Sequence, residues 1–161
     1  MSTTIRNTTI SELKLEEAGD IQQVLDIEKE AFDKGAIHQW VLAPFVISQK
    51  VLLCRIENEI AGMGIFLKSF NKSEVFFFSF ALKKKFQGKG LGRFFFGKTV
   101  EYIFENYSDI KSIKLTVDPL IPKNIKLFKS FGFSEIQYFK NFYGNGIDRI
   151  YMELKREYFK I

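Results

Sequence analysis

The chain has 161 residues, of which 46% are hydrophobic, and it carries a formal net charge of +5. This length suits a single domain over residues 1–161 with a core large enough to fold alone, and the hydrophobic fraction excludes an intrinsically disordered chain. The longest apolar run, at residues 75–82, is too short to span a bilayer. The single cysteine, Cys54, cannot form an internal disulfide, and the N-terminus lacks the apolar run of a signal peptide, so we expect a reducing, cytoplasmic compartment.

The first half of the chain has the periodicities of two helices and four strands. The expected elements are a strand at 5–14, helices at 15–32 and 38–48, and strands at 50–57, 60–70 and 74–82. Glu28 falls on the apolar face of the first helix, and Pro44 is expected to interrupt the second. Turns at Asn58-Glu59 and at residues 71–73 make the last three strands a meander.

The second half predicts a helix, a strand, a helix and a final hairpin. The expected bounds are a helix at 90–107, a strand at 112–117, a helix at 123–131 and strands at 134–143 and 147–154. The hairpin turns around Gly144-Asn145-Gly146, and Asp148 and Arg149 are expected to pair across that turn. The order β-α-α-β-β-β-α-β-α-β-β predicts an α+β fold, with a mixed, mostly antiparallel sheet flanked by about four helices.

Three glycines at alternate positions, Gly88, Gly90 and Gly92, lie where the third strand of the meander gives way to a helix. Glycine lets the backbone turn tightly and approach a ligand closely, and the start of a helix offers N–H groups and a positive dipole end to an anion. The lysines around this loop are Lys83, Lys84, Lys85 and Lys89. Because their charge reinforces one local site, a small phosphorylated ligand is favoured over nucleic acid, while a solvated lysine run stays open for residues 83–85.

These residues resemble the acyl-CoA signature Q/R-x-x-G-x-G/A of the GNAT superfamily of N-acetyltransferases. The resemblance rests on residues 80–82 and 86–93, on the segments 115–119 and 125–133, and on the order of the elements. It implies an N-acetyltransferase with acetyl-CoA as co-substrate, whose pantetheine arm runs along the backbone where strand 74–82 separates from strand 112–117. The cofactor-binding residues that it implies are Phe80, Ala81, Leu82, Gln87, Gly88, Lys89, Gly90, Leu91, Gly92, Arg93, Asn124 and Phe128. Asn124 is included as a candidate replacement for the family's usual asparagine, whose position corresponds to Ile121 one turn earlier.

The catalytic groups depart from the family's usual pattern. The tyrosine that often donates a proton to the CoA sulfur corresponds to Phe128, and Thr116 stands where some relatives hold a glutamate or histidine base. Glu28 is therefore the first candidate for a catalytic group, because a carboxylate on an apolar helix face is costly unless it is paired or functional. Tyr143, before the last turn, is the second. A partly exposed or lysine-paired Glu28 and a plain edge-strand Tyr143 stay open as alternatives.

Two other functions remain open at this point. Thr116 and Phe128 favour a non-catalytic acyl-CoA-binding sensor, and the lysines would serve a nucleic-acid-binding protein. For the transferase, the acceptor is a small-molecule or peptide amine, and no metal, membrane or nucleic acid is expected. An exposed end strand makes a homodimer plausible. Aromatic residues that favour a neutral or hydrophobic amine are Trp40, Phe45, Phe139, Phe142 and Tyr143.

Overall fold

The computed structural model describes residues 7–70 and 72–159. The predicted order of helices and strands is confirmed. In chain order the elements are β1 (Thr8–Glu12), α1 (Ala18–Phe32), α2 (Gln39–Ser48), β2 (Lys50–Ile56), β3 (Glu59–Lys68), β4 (Glu74–Leu82), α3 (Leu91–Asn106), β5 (Ser112–Val117), α4 (Pro122–Lys129), β6 (Ser134–Phe139) and β7 (Arg149–Lys155). Residues 5, 6 and 71, which fell in an expected strand and turn, lie outside the described residues.

The seven strands form one sheet with the hydrogen-bonded order β1-β2-β3-β4-β5-β7-β6. The pairs β1–β2, β2–β3, β5–β7 and β6–β7 are antiparallel. Strands β4 and β5 are parallel, with a register that runs from Glu74 opposite Ser112 to Phe77 opposite Leu115. A parallel pair needs a long crossover, and the chain between β4 and β5 contains α3. The mixed, mostly antiparallel sheet with four helices is the α+β fold that the sequence predicts.

The packing divides the chain into two compact units. The first holds the chain up to Leu67 together with Ser79–Thr99, and the second holds Lys68–Phe78 and the chain from Val100 onward. Strand β4 and helix α3 therefore each contribute residues to both units. The glycine-rich loop after β4 lies wholly within the first unit.

The core of the first unit covers both faces of its strands. On one face, Val24 and Ile27 of α1 and Leu42 of α2 pack in a cluster that includes Ala81. On the other face, Leu91 and Phe95 of α3 pack in a cluster that includes Leu82. Successive residues of a strand point to opposite faces, so Ala81 and Leu82 at the end of β4 meet different helices. This end of β4 is held on both sides by buried side chains.

The core of the second unit is built from alternate residues of its strands. Arg156 hydrogen-bonds to the chain at and after the end of α3. Its Nε donates to the carbonyl oxygen of Ile110 at 2.8 Å, and its Nη1 donates to the carbonyl oxygen of Phe104. The buried apolar strand residues are Val75, Phe77, Ile113, Leu115, Val117, Ile150, Met152 and Leu154. The alternation of these apolar residues along β4, β5 and β7 explains why the strands were recognisable in the sequence.

Two local predictions for the first unit are wrong. Pro44 does not interrupt its helix, because α2 runs unbroken from Gln39 to Ser48. Pro44 lies on the exposed side of α2, where solvent can replace the hydrogen bond that its ring removes. The turn between β2 and β3 falls at Glu57 and Asn58, one residue earlier than expected, and Glu57 adopts a φ of 55° there.

The last hairpin also differs from the prediction, because β6 ends at Phe139 rather than at Tyr143. The loop that follows holds Asn141 at a φ of 51° and Asn145 at 47°, conformations that a strand does not contain. Asp148 and Arg149 pair only through the backbone, because Arg149 Nη1 donates to the carbonyl oxygen of Asp148 at 2.8 Å and no ion pair joins the two side chains. The Asp148 carboxylate instead accepts hydrogen bonds from the Tyr138 hydroxyl at 2.6 Å and the Asn141 N–H at 2.9 Å, which lowers the pKa of Asp148.

Candidate functional site

The glycine-rich loop connects the end of β4 to the start of α3. Gly88 and Gly90 adopt φ values of 76° and 79°, which side-chain-bearing residues rarely adopt. A Cβ atom added at either position would meet nothing within 4 Å, so the space beside the loop is open. These two glycines are therefore required by the backbone conformation of the loop and not by tight packing.

The start of α3 favours an anion. The first turn of a helix leaves N–H groups without an intrahelical acceptor. Here the helix begins at Leu91, and the N–H of Phe94 donates to the Gly90 carbonyl at 3.1 Å. The first turn holds no acidic residue. The helix dipole and these N–H groups together suit a phosphate group.

Gln87 contributes to the loop through its side chain. Its Nε2 donates to the carbonyl oxygen of Leu82 at 2.9 Å. This bond ties the loop back to the last residue of β4, so Gln87 helps to hold the loop in its conformation.

The lysines beside the loop are only partly available to a ligand. The ammonium groups of Lys83 and Lys85 lie 3.0 Å and 2.7 Å from the two carboxylate oxygens of Glu59, which lowers the pKa of Glu59. Lys83 and Lys85 are therefore ion-paired, and a simple solvated run does not describe them. Lys89 is exposed, with Nζ 3.4 Å from the carbonyl oxygen of Lys85, and Arg93 is exposed at the start of α3.

The last residues of β4 are closely packed. The ring of Phe80 stacks on that of Phe95, with centroids 4.9 Å apart. Gly62 of β3 lies against Ala81 and Leu82, because a Cβ atom at Gly62 would come within 2.7 Å of the Ala81 carbonyl oxygen and 2.3 Å of Leu82 Cδ2. The backbone of Phe80–Leu82 is thus held in a fixed position, a condition for any hydrogen bond that it makes to a ligand.

Glu28 is buried in the first unit, with 1% of its surface exposed. Its Oε2 accepts a hydrogen bond from the N–H of Ile37 at 3.2 Å, and its Oε1 accepts one from the hydroxyl of Ser79. Burial raises the pKa of Glu28, and the bonds from Ser79 and Ile37 oppose that rise. The alternatives of a partly exposed or lysine-paired Glu28 are wrong.

Ser79 is a residue of this site that the sequence analysis missed. It precedes Phe80 in β4 and connects the buried carboxyl of Glu28 to the strand end that leads into the glycine-rich loop. A signal was present, since Ser79 is the one polar residue in the apolar run 75–82. Glu28, Ser79, Phe80–Leu82 and the loop all belong to the first unit.

The remaining candidate residues belong to the second unit. Phe128 lies on α4, with its ring centroid 5.9 Å from that of Phe133, and Asn124 lies in the first turn of the same helix. Thr116 lies in β5, opposite Tyr151 of β7. Their part in binding or catalysis stays a prediction.

Tyr143 lies in the loop after β6, with 56% of its surface exposed, so the alternative of a plain edge-strand tyrosine is wrong. The guanidinium carbon of Arg149 lies 5.0 Å from the centroid of its ring. Arg149 in turn reaches Asp118, the residue after β5, with 3.4 Å between Nη1 and Oδ2. Tyr143 is therefore exposed to solvent, and the Arg149 guanidinium that lies against its ring is itself ion-paired with Asp118.

Over residues 7–70 and 72–159 there is no group of three or more side chains that could hold a metal ion. Within the same ranges, no helix has the length and apolar character to cross a membrane.

Comparison with known proteins identifies a family. A model of the acetyltransferase (GNAT) family matches residues 21–133, whereas no curated protein matches the chain. The ribosomal-protein-alanine N-acetyltransferase of Escherichia coli is 22% identical, with a TM-score of 0.79 over 92% of this chain and 93% of that one. A GNAT family acetyltransferase from Elizabethkingia anophelis with acetyl-CoA bound is 19% identical, with a TM-score of 0.73 over 92% and 98%. The spermidine N-acetyltransferase of Vibrio cholerae, in complex with CoA and spermine, is 16% identical, with a TM-score of 0.75 over 94% and 97%.

Proposed function

The chain belongs to the GNAT family of acetyltransferases, and from this premise we propose that it moves the acetyl group of acetyl-CoA to a primary amine by direct attack in a ternary complex. The observation that carries the proposal is the glycine-rich loop. Its two glycines with positive φ, the open space beside them and the start of α3 form an anion site directly after the end of β4.

The pyrophosphate of acetyl-CoA binds in this proposal to the N–H groups of residues 87–93, and Lys89 and Arg93 add positive charge. The thioester lies beside Phe80, Ala81 and Leu82, where a backbone N–H polarises the acyl carbonyl. A fixed donor at this place stabilises the oxyanion that forms during amine attack. Asn124 and Phe128 stay predicted cofactor-binding residues, as the family resemblance implies.

In the reaction, the amine nitrogen forms a bond to the acyl carbon, the carbon–sulfur bond breaks, and one amine proton is lost. Glu28 is the proposed acceptor of that proton, because burial keeps the pKa of its carboxyl above the ordinary value. Phe128 has no proton to give, so water protonates the leaving thiolate. Tyr143 is the second proposed catalytic group, and its exposed position in the loop leaves it accessible to an acceptor.

The acceptor that we propose is a neutral or hydrophobic primary amine, either a small molecule or a peptide. Among the structural neighbours, one is named for a protein alanine and another for spermidine. Trp40 and Tyr143, which are 78% and 56% exposed, are uncharged aromatic residues and offer apolar surface to an acceptor. We place the protein in the cytoplasm, and a homodimer through an exposed end strand stays part of the proposal.

The first test is calorimetric titration with acetyl-CoA, followed by thiol release with a panel of an alanine-initiated peptide, spermidine and tryptamine. Micromolar binding with amine-dependent thiol release is the expected result. Binding without release would favour the non-catalytic acyl-CoA sensor, and no binding would refute both proposals. In the same assay, Glu28→Gln should lower kcat by about 100-fold or more, the range typical of general base catalysis, and leave the Kd for acetyl-CoA unchanged.

A further inference from the structure

Glu28 cannot itself meet an acceptor amine in the conformation that the structure shows. Only 1% of its surface is exposed, and each carboxylate oxygen already accepts a hydrogen bond. A proton that reaches Glu28 must therefore arrive through one of its two partners. The backbone N–H of Ile37 has no lone pair with which to accept a proton, so that route is closed.

Ser79 has the properties that such a route requires. Its hydroxyl donates to Oε1 of Glu28, which leaves oxygen lone pairs able to accept a hydrogen bond from a substrate N–H. Ser79 is half-buried, in contrast to Glu28, so part of its surface remains accessible. It also precedes Phe80, the first of the three residues whose backbone lies beside the thioester in the proposed complex.

We propose that Ser79 relays the proton of the acceptor amine to Glu28, an inference that rests on the proposed transferase function. The bond from Ile37 N–H to Oε2 fixes the carboxylate so that Oε1 faces the Ser79 hydroxyl. Ser79 is thus the group that contacts the amine, and Glu28 is the group that accepts the proton passed on by the Ser79 hydroxyl.

The step balances without any further reactant. The amine nitrogen bonds to the acyl carbon, and the electron pair of the carbon–sulfur bond leaves with the CoA thiolate. The N–H proton passes to Ser79 Oγ while the hydroxyl proton of Ser79 passes to Oε1 of Glu28, so the hydroxyl is restored and the carboxyl becomes neutral. Water then protonates the thiolate, and the hydroxide so formed takes the proton back from Glu28 through the Ser79 hydroxyl, so the carboxylate is restored.

The test compares wild-type protein with Ser79→Ala and Ser79→Thr, using the amine of the panel that gives the fastest thiol release. Ser79→Ala should lower kcat by about 100-fold or more, with the Kd for acetyl-CoA unchanged, because the relay acts only on the proton. Ser79→Thr keeps the hydroxyl and should restore kcat to within about tenfold of wild type. The matched control is Ser11→Ala, since Ser11 is a half-buried strand serine with its own partner, Arg55 at 3.3 Å. Its kcat should equal that of wild type.

A second measurement needs no variant and so does not depend on how Ser79→Ala folds. Because the relay moves two protons together, the wild-type kcat measured in mixtures of light and heavy water should vary with the deuterium fraction along a curved line. A straight line in wild type, or a kcat for Ser79→Ala within about threefold of wild type, would overturn the relay while leaving the transferase intact. Absence of amine-dependent thiol release in wild type would instead overturn the proposed function and the relay with it.

Discussion

At the scale of single residues, the buried carboxyl of Glu28 makes stability depend on pH. Its pKa in the folded protein is raised above the ordinary value of 4.5, so between the two pKa values the folded state binds more protons than the unfolded state. The free energy of unfolding therefore falls as pH rises through that window. Glu28→Gln removes this titration. We expect the Tm of wild type to fall relative to that of Glu28→Gln as pH rises from about 4 toward neutrality.

Calorimetry in a series of buffers measures this difference. A gap between wild type and Glu28→Gln that stays constant over this range would show that Glu28 titrates alike in the folded and unfolded chain.

Gly62 is a second residue with a consequence for stability. Its neighbours leave no room for a methyl group, since one of the closest atoms, the Ala81 carbonyl oxygen at 2.7 Å, belongs to the backbone. We expect Gly62→Ala to destabilise the protein by about 1–3 kcal/mol, as overpacking of a core does. In a protein of this size that corresponds to a fall in Tm of about 2–4 °C for each kcal/mol.

The control for this substitution is Gly19→Ala, at the start of α1, where an added Cβ meets nothing within 4 Å. Alanine is favoured over glycine in a helix, so this variant should be as stable as wild type or more stable by up to about 1 kcal/mol. Equal Tm values for Gly62→Ala and wild type would mean that β3 and β4 can move apart at no cost.

At the scale of elements, the loop between β4 and α3 depends on the conformation of Gly90. With a φ of 79° and open space around it, Gly90→Ala introduces strain but no clash. Holding alanine in this region costs about 1–2 kcal/mol, which predicts an affinity for acetyl-CoA about 5–30-fold weaker if the loop relaxes in the free protein. Gly19→Ala is the matched control, because its added Cβ also meets nothing within 4 Å, its φ is not positive, and Gly19 is not among the residues proposed to bind acetyl-CoA. Calorimetric Kd values that are equal for the two variants would contradict this explanation.

The elements also show what the sequence could predict. Strands β4 and β5 were predicted with their observed bounds. Strand β4 is a nearly continuous apolar run after the turn-forming residues 71–73, and β5 alternates apolar and polar residues before Asp118-Pro119. The end of β6 was not, because Asn141 and Asn145 adopt positive φ values that only the folded loop reveals. Ser79 was missed for a related reason. Its partner Glu28 is 51 residues away along the chain, and no local pattern connects the two.

At the scale of the whole molecule, ligand binding should appear as thermal stabilisation. A ligand that binds only the folded state stabilises it by about 2.7 kcal/mol when its concentration is 100 times its Kd. For a chain of 161 residues this predicts a rise in Tm of about 5–10 °C with acetyl-CoA. Acetyl-pantetheine carries the same thioester but lacks the pyrophosphate, so at equal concentration it should raise the Tm by much less. Equal shifts with the two compounds would show that the loop after β4 does not bind the pyrophosphate, and the anion site would then lose its place in the proposed mechanism.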